Sequence, residues 1–211
     1  MGVKVSTQYL ILADFGRGLF LPPPEQLLFP DNLYGLHPMS LAELETHIRS
    51  IPDFPKPGIL FRDITPLLHD RFRDTIDEVA GLFTAEEWQA FDAIVGVESR
   101  GFILASGLAY ALGKGLLVVR KPGKLPPPHH TVSYSLEYGQ DSLQMSSNFA
   151  PQRVLVADDV LATGGTLRAT CELCEQCGHE VAGITTLINL AGLNDFSWKG
   201  LRTRSLFSYG D

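Results

Sequence analysis

Basic charge is in short supply: 17 lysines and arginines stand against 24 aspartates and glutamates in 211 residues, a formal net charge of -7. That balance argues against an electrostatic footprint for DNA, RNA or an anionic membrane. Cysteine is scarcer. The three present, Cys171, Cys174 and Cys177, are too close together to staple distant parts of a fold, so nothing points to an oxidising compartment. Long apolar runs are missing too, since the longest stretch free of Asp, Glu, Lys and Arg, residues 181–194, has 14 residues, and a membrane span needs about 18. A signal-peptide layout is also lacking, because Asp14 and Arg17 interrupt the early apolar stretch. The expectation is a soluble, cytoplasmic protein without nucleic-acid or membrane partners. What is there, 45% hydrophobic and 19% charged residues, suffices for one sizeable core and not for two ordinary domains.

Residues 1–38 carry apolar patches and a run of prolines, Pro22, Pro23, Pro24, Pro30 and Pro38, with no sustained period. They read as an extension ahead of a domain over residues 39–211, either an upstream start or an arm that packs on a subunit. At Ser40-Leu41-Ala42-Glu43 a capping box opens a helix, with Leu41, Leu44, Ile48 and Ile51 on one face. Phe72, Ile76, Val79, Ala80 and Phe83 are helically spaced. Short apolar runs at residues 93–97, 116–119, 154–157 and 181–190 read as buried strands, with helices over 101–112 and 165–177 between them. Repeated strand-helix-strand order predicts an α/β fold with a parallel sheet. Residues 121–139, punctuated by Pro, Gly and Ser, read as a long mobile loop of the kind that forms lids.

The densest signal is Arg153-Val154-Leu155-Val156-Ala157-Asp158-Asp159-Val160-Leu161-Ala162-Thr163-Gly164-Gly165-Thr166. A buried strand ends in two carboxylates and passes through a glycine turn into a helix, the edge at which open parallel sheets bind ligands. Gly164 and Gly165 leave backbone N–H groups free to surround an anion, and Thr163 and Thr166 add hydroxyls at a helix N-terminus. Paired acids beside a phosphate would repel it, so they suit a sugar diol or a divalent cation carried by the same ligand. A phosphorylated ribose satisfies both halves. The P-loop alternative fails, because Gly-x-x-x-x-Gly-Lys-Ser/Thr is absent and no lysine follows Gly165.

The strand and its Asp-Asp-x-x-Ala-Thr-Gly-Gly-Thr continuation resemble the phosphoribosyl-pyrophosphate signature of the type I phosphoribosyltransferases. Residues 54–66, Glu98-Ser99-Arg100-Gly101-Phe102, Arg120-Lys121-Pro122-Gly123-Lys124-Leu125-Pro126 and Tyr134-Ser135-Leu136-Glu137-Tyr138-Gly139 are similar to the adenine phosphoribosyltransferase family, and the likeness runs from Met39 onward. It implies a parallel-sheet core with a small hood over the base site. It further implies transfer of the phosphoribosyl group of 5-phosphoribosyl 1-pyrophosphate to N9 of adenine with magnesium, giving AMP and pyrophosphate, by a homodimer.

Site roles follow from that resemblance. Asp158 and Asp159 would engage the ribose hydroxyls, directly or through magnesium-bound water, and Ala162, Thr163, Gly164, Gly165 and Thr166 would hold the 5-phosphate. Magnesium chelated by substrate oxygens keeps its water readily, so no dedicated metal cage is expected. Ser99 and Arg100 would form the pyrophosphate turn, flanked by Arg120, Lys121 and Lys124. Leu60, Phe61 and Arg62 would carry the adenine pocket, with Phe61 stacking on the purine and Leu190 closing over it. Glu137 and Tyr138 would cover the site, Glu137 near N7 as a proton-relay candidate. A site built for a donor disfavours an acceptor in its place, so 6-amino purines should outcompete 6-oxo purines.

Ser99, the run Pro126-Pro127-Pro128-His129-His130 and a short segment at residues 145–152 set this sequence apart from the family pattern. Cys171, Cys174, Cys177 and His179 mimic a metal cluster, but on one helix they span more than a turn and read as buried thiols before a Gly178 stop. Two alternatives to the adenine enzyme stand beside it. One is a transferase for another purine, which the Phe61-Arg62 context and Leu206-Phe207-Ser208-Tyr209 disfavour; the other is a regulatory phosphoribosyl-binding module, for which the sequence offers no basic nucleic-acid surface.

Overall fold

The computed structural model describes residues 39–136 and 139–210. The expected extension over residues 1–38 lies outside them. In chain order the elements are α1 (Leu41–Glu45), β1 (Arg49–Pro52), β2 (Leu60–Asp63), α2 (Thr65–Asp70), α3 (Phe72–Ala80), α4 (Ala85–Ala90), β3 (Ala93–Val97), α5 (Gly101–Leu112), β4 (Gly115–Arg120), β5 (His129–Leu136), β6 (Gly139–Ser146), β7 (Arg153–Leu161), α6 (Gly165–Gln176), β8 (Glu180–Leu190), β9 (Ser197–Trp198), β10 (Leu201–Arg202) and β11 (Arg204–Tyr209). A seven-stranded sheet runs in the order β11-β8-β7-β3-β4-β6-β5. Its first five strands are parallel, and β6 and β5 add an antiparallel hairpin at one edge. None of the described helices is long and apolar enough to cross a membrane.

Alternation along the central strands divides the core into two layers, because successive side chains of a strand point to opposite faces. Val95, Val154 and Val156 join Leu167, Cys171, Leu173 and Cys174 of α6 on one face. Ile94, Leu155 and Ala157 join Ile76 and Val79 of α3 and Leu104 and Leu108 of α5 on the other. Every residue of β3 is buried, which places the strand at the centre of the sheet with no room for polar side chains. At its C-terminal end the chain turns directly into α5.

Three sequence expectations need correction. The Ser40 capping box forms, with Ser40 accepting from the Glu43 N–H and the Glu43 carboxylate accepting from the Ser40 N–H, but the helix stops at Glu45. Ile48 follows it and Ile51 lies in β1, paired with Phe61 of β2; one buried leucine, Leu44, anchors the short helix, and the backbone beyond it gains more from the β1–β2 ladder. Residues 129–136, read as loop, are strand β5, zipped to β6 from His129↔Ser146 to Leu136↔Gly139. And β7 continues through Asp158 and Asp159 to Leu161, so the two carboxylates are strand residues just past the last β3 pairing at Ala157, with Asp158 in register with Thr186 of β8.

Candidate active site

The chemistry collects at the C-terminal edge of β3, β7 and β8. From β3 the chain passes through Glu98-Ser99-Arg100, with a cis bond between Glu98 and Ser99, and α5 begins at Gly101. This turn lies against β7 with almost no clearance: a Cβ on Gly101 would sit 2.6 Å from Asp158 Oδ1 and 3.2 Å from the Ala157 carbonyl. Glycine is what permits the approach. Across the contact, Arg100 Nε lies 2.7 Å from Asp159 Oδ2.

Asp158 and Asp159 are both buried, 7% and 8% exposed. Asp158 Oδ1 accepts the Asp159 N–H at 2.9 Å, whereas Asp159 Oδ2, although beside Arg100, has no aligned hydrogen-bond donor. Burial, and then the adjacent Asp159 charge, push the Asp158 carboxyl well above the usual carboxylate range. A buried oxygen that faces a guanidinium without an aligned hydrogen bond, next to a carboxyl that resists ionisation, leaves acceptor capacity to spare, and the set fits a ribose diol or magnesium-bound water.

Beyond Leu161 the chain makes the turn expected to hold phosphate. Residues 160–167 line a cavity of about 60 Å³, roughly two waters' share of liquid volume, with Ala162, Thr163, Gly164, Gly165 and Thr166 in its wall. Gly164 takes φ +85°, and a Cβ there would lie 2.9 Å from the Phe196 ring; the arriving segment before β9 therefore buttresses the turn from beneath. From Gly165 the twelve residues of α6 aim their N-terminus into this cavity's wall, which supplies N–H donors and the positive end of a helix dipole.

Two of the three flanking cations, and the backbone of the third, converge on one carboxylate. Glu98 accepts the Lys121 N–H at 2.8 Å, lies 3.4 Å from Arg120 Nε and pairs with the Lys124 ammonium. Hydrogen bonds from Lys124 and the Lys121 backbone hold its pKa below the ordinary glutamate value. The Lys121 side chain turns the other way, to Asp141 of β6. Arg120, Lys121 and Lys124 thus stand beside the Ser99-Arg100 turn within a single chain.

The residues expected of the hood lie on the antiparallel β1–β2 pair. Phe61 is half-buried, edge-on to Phe54 at 5.1 Å between centroids, with the Arg100 guanidinium 5.4 Å from its ring. Arg62 stacks 4.0 Å over Tyr209 and donates to Ser50 Oγ, while Tyr209 is the register partner of Leu190 across β11 and β8. Leu60 is 45% exposed. Arg100 therefore links Phe61 to Asp159, and Tyr209 links Arg62 to Leu190. Glu137 and Tyr138 lie outside the described residues.

Sequence reasoning missed the anchoring by Glu98, the buttress Phe196, and the hairpin residues Tyr134 and Asp141. Glu98 was in view as part of the turn, yet a carboxylate beside a pyrophosphate site carries no sequence signal until its cations are placed in space. Cys171 and Cys174 belong to the buried face of α6, and burial pushes the Cys171 thiol up to about 12.

A family model for the phosphoribosyl transferase domain matches residues 68–195. The chain is 49% identical over 173 residues, 82% of its length and 100% of the relative's, to an adenine phosphoribosyltransferase of Hydrogenovibrio crunogenus. The crystal structure of the adenine phosphoribosyltransferase of Thermoanaerobacter pseudethanolicus superposes with a TM-score of 0.72 at 42% identity, covering 81% of this chain and 100% of that one. The Saccharomyces cerevisiae enzyme, complexed with an imino-altritol bisphosphate and adenine, gives 0.71 at 35% identity over 79% of this chain and 97% of its own. Fold, site geometry and these likenesses agree: the chain belongs to the adenine phosphoribosyltransferase family of type I phosphoribosyltransferases.

Proposed function

We propose that the protein transfers the phosphoribosyl group of 5-phosphoribosyl 1-pyrophosphate to N9 of adenine, releasing pyrophosphate and forming AMP, as a step of purine salvage. The observation that carries the reading is the juxtaposition of buried Asp158 and Asp159, the 160–167 cradle and Arg100 at one sheet edge. In this assignment Ala162 to Thr166 bind the 5-phosphate through N–H and hydroxyl donors. Asp158 and Asp159 orient the ribose hydroxyls, which fixes the anomeric carbon for attack. Bond breaking builds positive charge on the ribosyl carbon and negative charge on the leaving pyrophosphate. Ser99, Arg100, Arg120, Lys121 and Lys124 meet the latter as fixed donors. Asp158 and Asp159 are the groups that would hold magnesium-bound water, and the ion would supply partial neutralisation of the pyrophosphate charge.

Phe61 and Leu190 would enclose the purine ring, with Leu60 and Arg62 completing the pocket. Glu137 would take the proton leaving the imidazole ring of adenine, with Tyr138 closing above it. We assign residues 39–211 to the catalytic domain and 1–38 to an extension, and the working form to a cytoplasmic homodimer. Incubating the purified full chain with the donor and each of adenine, hypoxanthine, guanine and xanthine tests the activity. AMP from adenine alone, abolished by chelation and restored by magnesium, is expected; turnover of a 6-oxo base in preference to adenine would overturn the adenine assignment. If Glu137→Gln keeps near wild-type turnover while Arg100→Ala loses about a hundred-fold or more, proton relay by Glu137 is wrong.

A further inference from the structure

Hairpin β5–β6 reaches both ends of the donor site through one carboxylate. Tyr134 and Asp141 are cross-strand partners in its register. The Tyr134 hydroxyl donates to Asp141 Oδ2 at 3.2 Å and lies 3.3 Å from Thr166 Oγ1 at the start of α6. The same Oδ2 takes the Lys121 ammonium, and Oδ1 accepts the Ser142 N–H at 2.8 Å.

Proton counting gives this chain a direction. An ionised carboxylate only accepts, and a phenol has one hydrogen, which goes to Asp141. At the Tyr134–Thr166 contact the threonine must therefore donate, spending its single hydroxyl hydrogen on the hairpin. The attraction of Lys121 and the hydrogen bonds of Tyr134 and Ser142 outweigh desolvation, which acts in the opposite sense, and keep Asp141 ionised below the usual aspartate value. Two groups assigned to the donor's two anionic ends are thus already engaged by a single internal anion.

We propose that Asp141 is a built-in stand-in for the donor's anionic charge, holding Lys121 directly and Thr166 through Tyr134 until pyrophosphate and 5-phosphate displace it. The proposal rests on reading Lys121 and Thr166 as donor-binding groups. Donor binding then becomes an exchange in which both ends of the substrate release the same hairpin carboxylate. After the reaction Asp141 competes with product pyrophosphate for Lys121, which favours product release. Tyr134 and Asp141 act through Lys121 and Thr166 as positioning residues and touch no reacting atom.

Two ligands separate the arms of the chain: magnesium pyrophosphate probes the Lys121 arm and ribose 5-phosphate the Thr166 arm, each titrated calorimetrically into the full chain. Asp141→Ala removes the acceptor for both, so it should tighten both ligands about three-fold, the scale of a partly exposed ion pair. Tyr134→Phe keeps the packed ring and the Lys121–Asp141 pair; it should tighten ribose 5-phosphate and leave pyrophosphate unchanged. Weaker or unaltered binding in Asp141→Ala would overturn the proposal, because a strut for the site, unlike a competitor, costs affinity when removed. Equal shifts for both ligands in Tyr134→Phe would also overturn it. Wild-type protein that binds neither ligand defeats the donor-site reading and this proposal with it, whereas wild type that binds both yet forms no AMP defeats only the catalytic reading, and the shifts still decide.

Discussion

Gly101 is where the turn before α5 and the Asp158-Asp159 pair of β7 come closest, and the cost of a side chain there can be argued atom by atom. A methyl group would meet Asp158 Oδ1 at 2.6 Å and the Ala157 oxygen and Asp158 Cα at 3.2 Å. Two of the three are backbone atoms in the middle of a sheet and cannot step aside. Relief must come from moving the start of α5, and with it Arg100, at about 1–3 kcal/mol for such overpacking. Gly101→Ala should therefore still fold, with a melting temperature lowered by about 2–12 °C, while kcat/KM for AMP formation falls about ten-fold or more; an unchanged melting temperature with near wild-type steady-state rates would refute the close-contact account. The glycine was readable in sequence as part of a turn, but its reason, the carboxylate opposite, belongs to the fold. His179 illustrates the converse. Its neighbourhood of thiols suggested a cluster, whereas the ring is 3% exposed and neither ring nitrogen has a hydrogen-bond partner among the described residues. Burial lowers its pKa below the ordinary histidine value, so the folded state holds the neutral ring and the unfolded chain takes up the proton. Its stability contribution is present above the unfolded pKa of about 6.5 and is lost as pH falls below it. Denaturant midpoints should drop between pH 7 and pH 5 in wild type and drop less in His179→Phe; equal slopes in both proteins would dismiss the buried neutral ring.

Among the elements, the central strands and α5 and α6 were legible because hydrophobic runs bounded by Gly and charge leave few other readings. The β5–β6 hairpin was not, although its alternation is in the sequence: Val132 and, on the partner, Leu143 and Met145 are buried, separated by polar Ser133, Ser142 and Gln144. Serines on the exposed face and the prolines ahead of His129 read as turn punctuation. In space the polar residues pair across the strands, Ser133 with Ser142 at 2.8 Å between hydroxyls, and the apolar ones close the α6 side of the core. Hydrogen exchange distinguishes strand from loop. Amides of residues 143–146, flanked by β5 and, at Gln144 and Met145, by β4, should exchange slowly, those of 130–134 on the edge strand at intermediate rates, and those of 121–127 fast. Uniformly fast exchange from 121 to 146 would return the segment to a loop.

At the scale of the whole molecule, the chain's last strand decides whether the hood and the sheet hold together. No motif announced β11, since Leu206-Phe207-Ser208-Tyr209 was noticed only for its family likeness, yet it supplies the sheet's far edge beside β8 and the Tyr209 ring beneath Arg62. Arg204, at its first position, ties that edge to the helical layer. It donates to the Leu82 carbonyl at 2.7 Å, grips Glu87 of α4 with two nitrogens at 2.8 and 2.5 Å, and lies 4.5 Å over the Phe83 ring. Bidentate geometry makes this pair more than an ordinary surface contact, and the Arg204 hydrogen bond is the main cause that lowers Glu87 to about 2. A carboxylate with a depressed folded pKa stabilises above its unfolded pKa and loses that contribution as pH falls towards the folded value; here the window runs from the ordinary glutamate value down to about 2. With about a third of each partner open to solvent, screening holds the ion-pair part to about 1 kcal/mol. Arg204→Ala should therefore lower the unfolding free energy at pH 7 and show a smaller stability loss than wild type between pH 5 and pH 3. Because the strand also carries Tyr209, the same variant should raise KM for adenine more than KM for the phosphoribosyl donor. A variant that loses stability with both KM values unmoved would show that β11 closes the sheet without positioning the hood.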